Sequence, residues 1–422
     1  MTTSAVSKLT TPANTPEDKY FDLASRELAN WQPSTISTSK TSIQVIDLFS
    51  GCGGMSLGFA ALAKVVGDIR LIGAADINER SLETYHRNFL VPALNRDVRE
   101  ISQSSRQLEN FLEDLDGYDP NLSRVLIGCA PCQGFTAHRK KNWDNPDERN
   151  GLVEAFTNIA AAIQPDCVVM ENVPELLSEK YWHHFQYFRK TMTENGYIVK
   201  QAIHNAAAQG VPQERFRAIV IAMKARFHLP IDRLERKEFR TVRDAIGDLR
   251  KVKAGEVSPS DPFHKSARHK PTTIDVIKAV PKNGGSRPDG VGPKCLQGFK
   301  GFADVYGRLS WDKPSITITH YARNPASGRF VHPEQHRGLS MREAARLQSF
   351  PDGFVFIGST DDVYRQIGEA VPPLLSTAIA STIYANLKQE IPARDENLVL
   401  EPVNNSYAGV IAGIKGSRND GA

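Results

Sequence analysis

The stretch Ile43–Val65, "IQVIDLFSGCGGMSLGFAALAKV", decides the fold. A β-branched apolar run ends at Asp47–Phe49. Gly51, Gly53 and Gly54 then close a turn, and apolar residues resume at helical spacing. This reads as strand, glycine turn and helix. Glycines let backbone N–H groups come close to a ligand at the positive end of a helix. The spacing is G-x-G-G rather than G-x-G-x-x-G, and no Lys-Ser/Thr follows as in a phosphate-cradling loop. On its own, such a turn marks only a tight connection.

Working outward, "IRLIGAAD" (69–76), "RVLIG" (124–128), "DCVVMENV" (166–173) and "AIVIAM" (218–223) are further short apolar runs, separated by helical or polar sequence. Strands apolar on both faces and alternating with helices predict an α/β fold: a doubly wound, mostly parallel sheet, with ligands at the carboxyl ends of its strands. Residues 226–305 differ. "VSPSDP" (257–262) and "KNGGSRPDGVGP" (282–293) mark a smaller, irregular second domain. Regular character returns with "SITIT" (315–319), the helical "SMREAARLQSF" (340–350) and "PLLSTAIASTIYANL" (373–387) after Pro372. The expected organisation is a disordered leader over 1–40, with at most a short helix through "DKYFDLASRELANW", and a catalytic and cofactor-binding part over 41–225. The irregular domain over 226–305, a return to the catalytic part over 306–390 and a tail over 391–422 follow.

At 40% hydrophobic and 24% charged residues, the 422-residue chain has an ordinary globular composition. It contains no run of eighteen apolar residues, so no membrane-spanning helix is expected, and the leader lacks a secretory signal pattern. Five scattered cysteines argue for a reducing compartment and against a disulfide framework. The net charge of +4 hides an asymmetry: residues 226–300 hold 17 Lys and Arg against 9 Asp and Glu. That segment suits phosphate neutralisation, though a solvated basic surface would look the same.

Several residues carry candidate chemistry. Asp76 ends the strand after the glycine turn, where an acid can bind two ribose hydroxyls of an adenosine ligand; Asp97 ends a third short segment. "GCAPCQGF" (128–135) admits three readings: a redox pair, half a zinc site, or one nucleophilic thiolate in a loop shaped by Pro131 and Gly134. Zinc would need a second cysteine pair, and Cys52, Cys167 and Cys295 are isolated, so no metal is expected. Glu171 ends an apolar strand at the sheet edge, as a proton donor or as a helix N-terminal charge. In "QERFR" (213–217), Arg215 and Arg217 alternate into a strand, which places both on one face to meet a carboxylate, a phosphate or a base edge.

Together these segments resemble the cytosine-specific, carbon-5 DNA methyltransferases. "VIDLFSGCGGMSLGF" resembles the family's first motif, "CAPCQGFT" its Pro-Cys loop, "ENV" its sixth motif and "QERFR" its Gln-x-Arg-x-Arg motif. "REAARLQSFPD" and "IGEAVPPLL" resemble its ninth and tenth motifs, in order, between about Ile43 and Tyr384. The resemblance implies an S-adenosyl-L-methionine-dependent fold with a target-recognition domain in the basic segment and a last helix packed beside the first strand. It implies that the Cys132 thiolate attacks carbon-6 of a cytosine flipped from double-stranded DNA. Glu171 would donate a proton or hydrogen bond to ring nitrogen 3, and Arg217, with Arg215 beside it, would hold the base and orient Glu171. The cofactor would lie against Asp47, Phe49, Gly51, Gly53, Gly54, Asp76, Ile77, Asp97, Pro131, Glu369 and Ala370. Arg342 and Arg346 would support the fold and the DNA backbone. The implied protein is a monomeric modification enzyme in the cytoplasm of a bacterial or phage-infected cell, solitary or with a cognate restriction endonuclease. A tRNA cytosine methyltransferase and an inactive DNA-binding regulator are the rival readings. Two residues depart from the pattern: Ala130 replaces a proline after Cys129, and Glu369 stands where the family has asparagine, near the methionine end of the cofactor.

Overall fold

The computed structural model describes residues 15–34, 41–131, 151–296, 304–390, 396 and 398–403. An N-terminal helix α1 (Pro16–Ala29) precedes β1 (Ile43–Leu48), which leads through the glycine turn into α2 (Gly54–Val66). Next come β2 (Ile69–Asp76), α3 (Glu79–Phe89), β3 (Ala93–Asn95), α4 (Val98–Ile101), α5 (Ser105–Glu113) and β4 (Ser123–Gly128). The first half ends with α6 (Leu152–Ile163), β5 (Cys167–Asn172), α7 (Trp182–Glu194), β6 (Ile198–Asn205) and β7 (Phe216–Met223). These strands form one seven-stranded sheet in the order β3-β2-β1-β4-β5-β7-β6, parallel except for β7, which runs antiparallel to both neighbours. This is the doubly wound α/β architecture expected from the apolar runs.

Period-two alternation divides the core between the two faces of the sheet. Val45, Val125, Val169 and Ile221 pack on one side with Leu57, Leu62 and Ile379. Ile46, Leu126, Val168 and Val220 pack on the other with Phe156, Phe185 and Phe188. β6 was not among the expected strands. Its sequence, "IVKQAIHN", is half polar because its outer edge meets the chain's own tail. Gln201 O accepts from Val399 N at 3.1 Å, and the Lys200 ammonium pairs with Glu396.

The second half contains α8 (Val242–Ile246), a hairpin of β8 (Val257–Ser258) and β9 (Asp261–Lys265), and α9 (Pro271–Ala279). It continues with α10 (Met341–Leu347), α11 (Thr360–Glu369) and α12 (Pro373–Leu387). A small apolar cluster of Ile277, Val280, Tyr306 and Val331 crosses the expected boundary at 305. Arg308 is fully buried within it and donates to the carbonyls of Ile277, Val280, His332 and Gln335. Loops poor in regular structure have many unpaired carbonyls, and one guanidinium satisfies four of them. Arg342 and Arg346 work similarly. Arg342 binds Asp261 at 2.7 Å, Arg346 binds Asp248 at 2.7 Å and Asp352 at 2.6 Å, and both tie α10 to the irregular part.

Two expectations change. The disordered reading of 1–40 fails over the described part of the leader: α1 is capped by Thr15, and Phe21, Ala24, Leu28 and Trp31 are buried in the main core. "SITIT" is no strand. Its backbone is held by an isolated bridge from Ser315 to Gln213 and by Gln213 Oε1, which accepts from Ile318 N at 2.8 Å. The last helix, α12, packs on α2 and α1 and places Ile379 in the core cluster that also holds Val45 of β1, and Ser376 donates to Met55 O. Gly58 makes that approach possible, since a β-carbon there would overlap the backbone of Ser376 and Thr377.

Trp31 is 0% exposed, and the Lys64 ammonium lies 4.0 Å from its ring centroid. Trp31→Ala is expected to cost about 3–5 kcal/mol of unfolding free energy in denaturant titration. An unchanged midpoint would show that the leader helix does not dock.

Candidate active site

The sheet order reverses at β1, which pairs with β2 on one side and β4 on the other, so a crevice opens at the carboxyl ends of these strands. The glycine turn sits there. Phe49 adopts φ 57°, a left-handed conformation costly for a bulky residue. Gly51 and Gly53 also have positive φ, at 51° and 93°. Gly53 has a second reason to lack a side chain, since a β-carbon there would overlap Phe89. Gly51 N donates to Asp76 Oδ2 at 2.8 Å and Asn78 N to Asp76 Oδ1 at 2.8 Å, which fixes the acid at the pocket wall. Desolvation raises the Asp76 carboxyl above its ordinary value despite these donors. Ile77, next in sequence, is 70% exposed, an apolar surface facing outward beside the acid.

Asp47, near the end of β1 just before the turn, is fully buried. Ser56 Oγ donates to Asp47 Oδ2 at 2.6 Å, and Tyr85 Oη lies 2.8 Å from the same Ser56 oxygen. Among the described residues Asp47 Oδ1 and Ser50 Oγ are buried with no hydrogen-bond partner. Burial pushes the Asp47 carboxyl up to about 8, the Ser56 hydrogen bond opposing and the Asp76 charge adding to the rise. The tenth-motif segment closes the other side: a β-carbon on Gly54 would overlap Val371 O and crowd Ala370. Glu369 is solvent-exposed as a residue, yet desolvation at the pocket mouth and the Asp76 charge push its carboxyl up to about 7, with Arg365 opposing. Asp97 is placed apart from Asp76's role. It caps α4, and both of its oxygens face Arg99, at 2.6 Å in the closest contact, which lowers its carboxyl.

The catalytic end of the crevice is built from β5 and β7. Because these strands are antiparallel, the carboxyl end of one meets the amino end of the other, with Glu171 opposite Ile219 in register. Arg217 Nε approaches Glu171 Oε1 at 2.8 Å, and both side chains are largely buried. The N–H does not point along the line to that oxygen, so the contact is an ion pair rather than an aligned hydrogen bond. Arg217 Nη1 also donates to Phe216 O at 2.7 Å. Arg215 does not join this pair. It precedes the first strand residue, so strand alternation does not govern it, and its guanidinium donates to Ile318 O (3.1 Å), Gly368 O (3.3 Å) and Ala370 O (3.1 Å). The expectation of two arginines side by side is corrected: one faces Glu171, the other fastens the tenth-motif turn.

Cys132 lies outside the described residues, as does the rest of its loop through residue 150; Pro131 is the last residue described before it. The approach to it is visible. Cys129 N donates to Leu48 O, and Asn172 Nδ2 donates to Ala130 O at 3.2 Å while Asn172 Oδ1 accepts from Val173 N at 2.8 Å. Asn172 thus couples the strand end bearing Glu171 to the cysteine loop. Sequence reasoning quoted this residue within "ENV" but gave it no role. Cys129 is half-buried, and desolvation together with the Glu171 and Asp47 charges pushes its thiol well above the ordinary value, unlike a reactive thiolate.

Two histidine pairs have metal-like spacing, His264/His269 and His332/His336, but their nitrogens serve the loops: His264 contacts Ser340 Oγ and Arg250 O, and His332 Nδ1 accepts from Glu334 N and Gln335 N. Among the described residues no group of three metal-ligating side chains converges, and no helix is long and apolar enough to cross a membrane.

The family model for C-5 cytosine-specific DNA methylases matches residues 43–385. The chain belongs to that family. It is similar to the type II methyltransferase M1.HphI of Haemophilus parahaemolyticus, 36% identical over 348 residues that cover 81% of this chain and 87% of the relative. The type II methylase M.HgiDII of Herpetosiphon aurantiacus is 32% identical over 350 residues, covering 80% and 94%. Among solved structures, a DNA modification methyltransferase encoded within an Escherichia coli prophage aligns with TM-score 0.61 and 23% identity. It covers 82% of this chain and all of its own, a likeness of fold. As a cytosine-5 DNA methylase the chain uses S-adenosylmethionine, and the residues present fit it. The glycine turn is fastened to Asp76 at the wall, Ile77 offers an apolar face, and among the described residues Asp47 Oδ1 is buried without a hydrogen-bond partner.

The fold keeps Asp47 protonated to a higher pH than the unfolded chain does. Its contribution to stability is therefore fully present below pH 4 and lost as pH rises through about 8. Asp47→Asn removes this loss. The melting temperature of the variant relative to the native protein is expected to rise by at least about 2 °C between pH 5 and pH 9. A constant difference would contradict a buried, proton-holding Asp47.

Proposed function

We propose that this methylase acts on cytosine flipped out of a specific double-stranded DNA sequence, with Cys132 as nucleophile, Glu171 at ring nitrogen 3 and Arg217 holding both Glu171 and the base oxygen. The observation that carries the reading is the Arg217–Glu171 pair at 2.8 Å, set at the same sheet edge as the glycine turn and the start of the Cys132 loop. Carbon-5 of cytosine is a weak nucleophile. Addition of the Cys132 thiolate to carbon-6 moves electron density toward nitrogen 3 and carbon-5. Glu171 meets the charge at nitrogen 3, and Arg217 keeps it in position without rearrangement during the reaction. When bound, S-adenosylmethionine supplies the electrophilic methyl group. Loss of the carbon-5 proton then restores the ring double bond as the cysteine thiolate leaves.

Arg215 is a positioning residue for the cofactor side, through the Gly368 and Ala370 carbonyls. The basic segment 226–305 is the sequence reader, with positive charge for the phosphates and irregular loops for the groove. Type II naming of the relatives supports a restriction-modification role, and with it a cognate endonuclease, a bacterial cytoplasm and a monomer that visits its sites singly.

Cys132→Ser is expected to lower methyl transfer by at least about three orders of magnitude, while Cys129→Ser keeps most of it; transfer of labelled methyl groups to duplex DNA measures both. Comparable loss in the two variants would indicate a dithiol mechanism instead. Exchange of residues 226–305 with those of a relative is expected to change the methylated sequence, read by conversion sequencing. An unchanged target would place recognition elsewhere.

A further inference from the structure

The carboxylates around the glycine turn are not equivalent. Both Asp76 oxygens accept from backbone amides, those of Gly51 and Asn78. Asp47 is sealed in the core beneath Ser56. Glu369 has neither restraint: among the described residues its carboxylate makes no hydrogen bond or ion pair. Its nearest cationic neighbour on the same helix, Arg365, is turned to Asp362 at 3.2 Å. Glu369 is solvent-exposed, and its helix touches the glycine turn: Cys52 Sγ donates to Gln366 O at 3.6 Å, and Ala370 lies against Gly54.

The backbone that carries Glu369 is held firmly. Arg215 binds the carbonyls on either side of it, those of Gly368 and Ala370. Gln348 Nε2 donates to Ala370 O at 2.8 Å and to Ile367 O at 2.9 Å. Ala370 and Val371 lie against Gly54, so closely that no side chain fits there. A free carboxylate on a fixed turn, at the mouth of a pocket walled by a second carboxylate, is a selector for positive charge.

The two forms of the cofactor differ in that respect. S-adenosylmethionine carries a sulfonium, and the spent S-adenosylhomocysteine carries a neutral thioether. We propose that Glu369 is a specificity-determining residue that makes the pocket prefer the charged, methyl-bearing cofactor over its neutral product. An amide at this position would contact either form alike. The carboxylate instead weakens retention of the product relative to the substrate, which speeds exchange of the spent molecule. The inference rests on the methyltransferase reading of the pocket.

Isothermal titration of the full chain at pH 8.5 tests it with three ligands: S-adenosylmethionine, S-adenosylhomocysteine and sinefungin, which carries an amine in place of the sulfonium. In the native protein both cationic ligands are expected to bind more tightly than the thioether. Glu369→Gln and Glu369→Asn are expected to narrow that ratio by about three- to fivefold, the range of one partly exposed charge contact, with affinity for the thioether unchanged or improved. A ratio that does not move, or an equal loss for all three ligands, would overturn the selector role. Failure of the native chain to bind any of the three would overturn the methyltransferase reading of the pocket as well.

Discussion

The structure depends on the close approach of the glycine-rich helix α2 to the segment that joins α11 to α12 and to the first turn of α12. Gly54 meets the backbone at Val371, and Gly58 meets it at Ser376, with no room for a side chain at either contact. Segments more than three hundred residues apart are joined here, so the cofactor side of the crevice cannot form until the chain has returned. Helix–helix contacts at backbone distance need glycine, and the energy gained is the dispersion of two close-packed surfaces. Arg215 and Gln348 then fasten the same turn from the other side through the carbonyls of residues 367–370.

From this fixed frame the crevice divides its work between charges of different kinds. One end holds carboxyl groups whose charge is discouraged by burial, Asp47 and Asp76, with Glu369 at the mouth. The other holds the Glu171–Arg217 pair at the junction of two antiparallel strands. Asn172 links this second end to the loop that carries Cys132. Breaking a largely buried ion pair leaves an uncompensated charge and costs about 3–5 kcal/mol. The pair therefore fixes the local geometry as well as the chemistry.

Much of this was legible in the amino-acid order. Strands β1, β4, β5 and β7 carry apolar residues on both faces, as a sheet covered twice requires. The glycine turn, Asp76, Glu171 and Arg217 lie at strand ends, which local sequence reveals. What was hidden depends on distant partners. β6 carries its polar residues in pairs, one of which, Lys200 and Gln201, meets the tail, and Trp31 is buried against Phe89 of α3 and Lys64 of α2. Arg215 and Arg217 look equivalent two residues apart, yet one lies outside the strand and serves carbonyls 103–155 residues away along the chain. Asn172 was in view but silent, since its role lies in a single hydrogen bond to Ala130 O.

The central claim is that these residues methylate carbon-5 of cytosine in duplex DNA. Its most direct test is conversion-based sequencing of total DNA, alongside tRNA, from a methylation-deficient host expressing the chain. The account predicts 5-methylcytosine at one fixed position in every copy of a short DNA sequence and none in the tRNA. DNA without 5-methylcytosine, or methylation confined to tRNA, would contradict it.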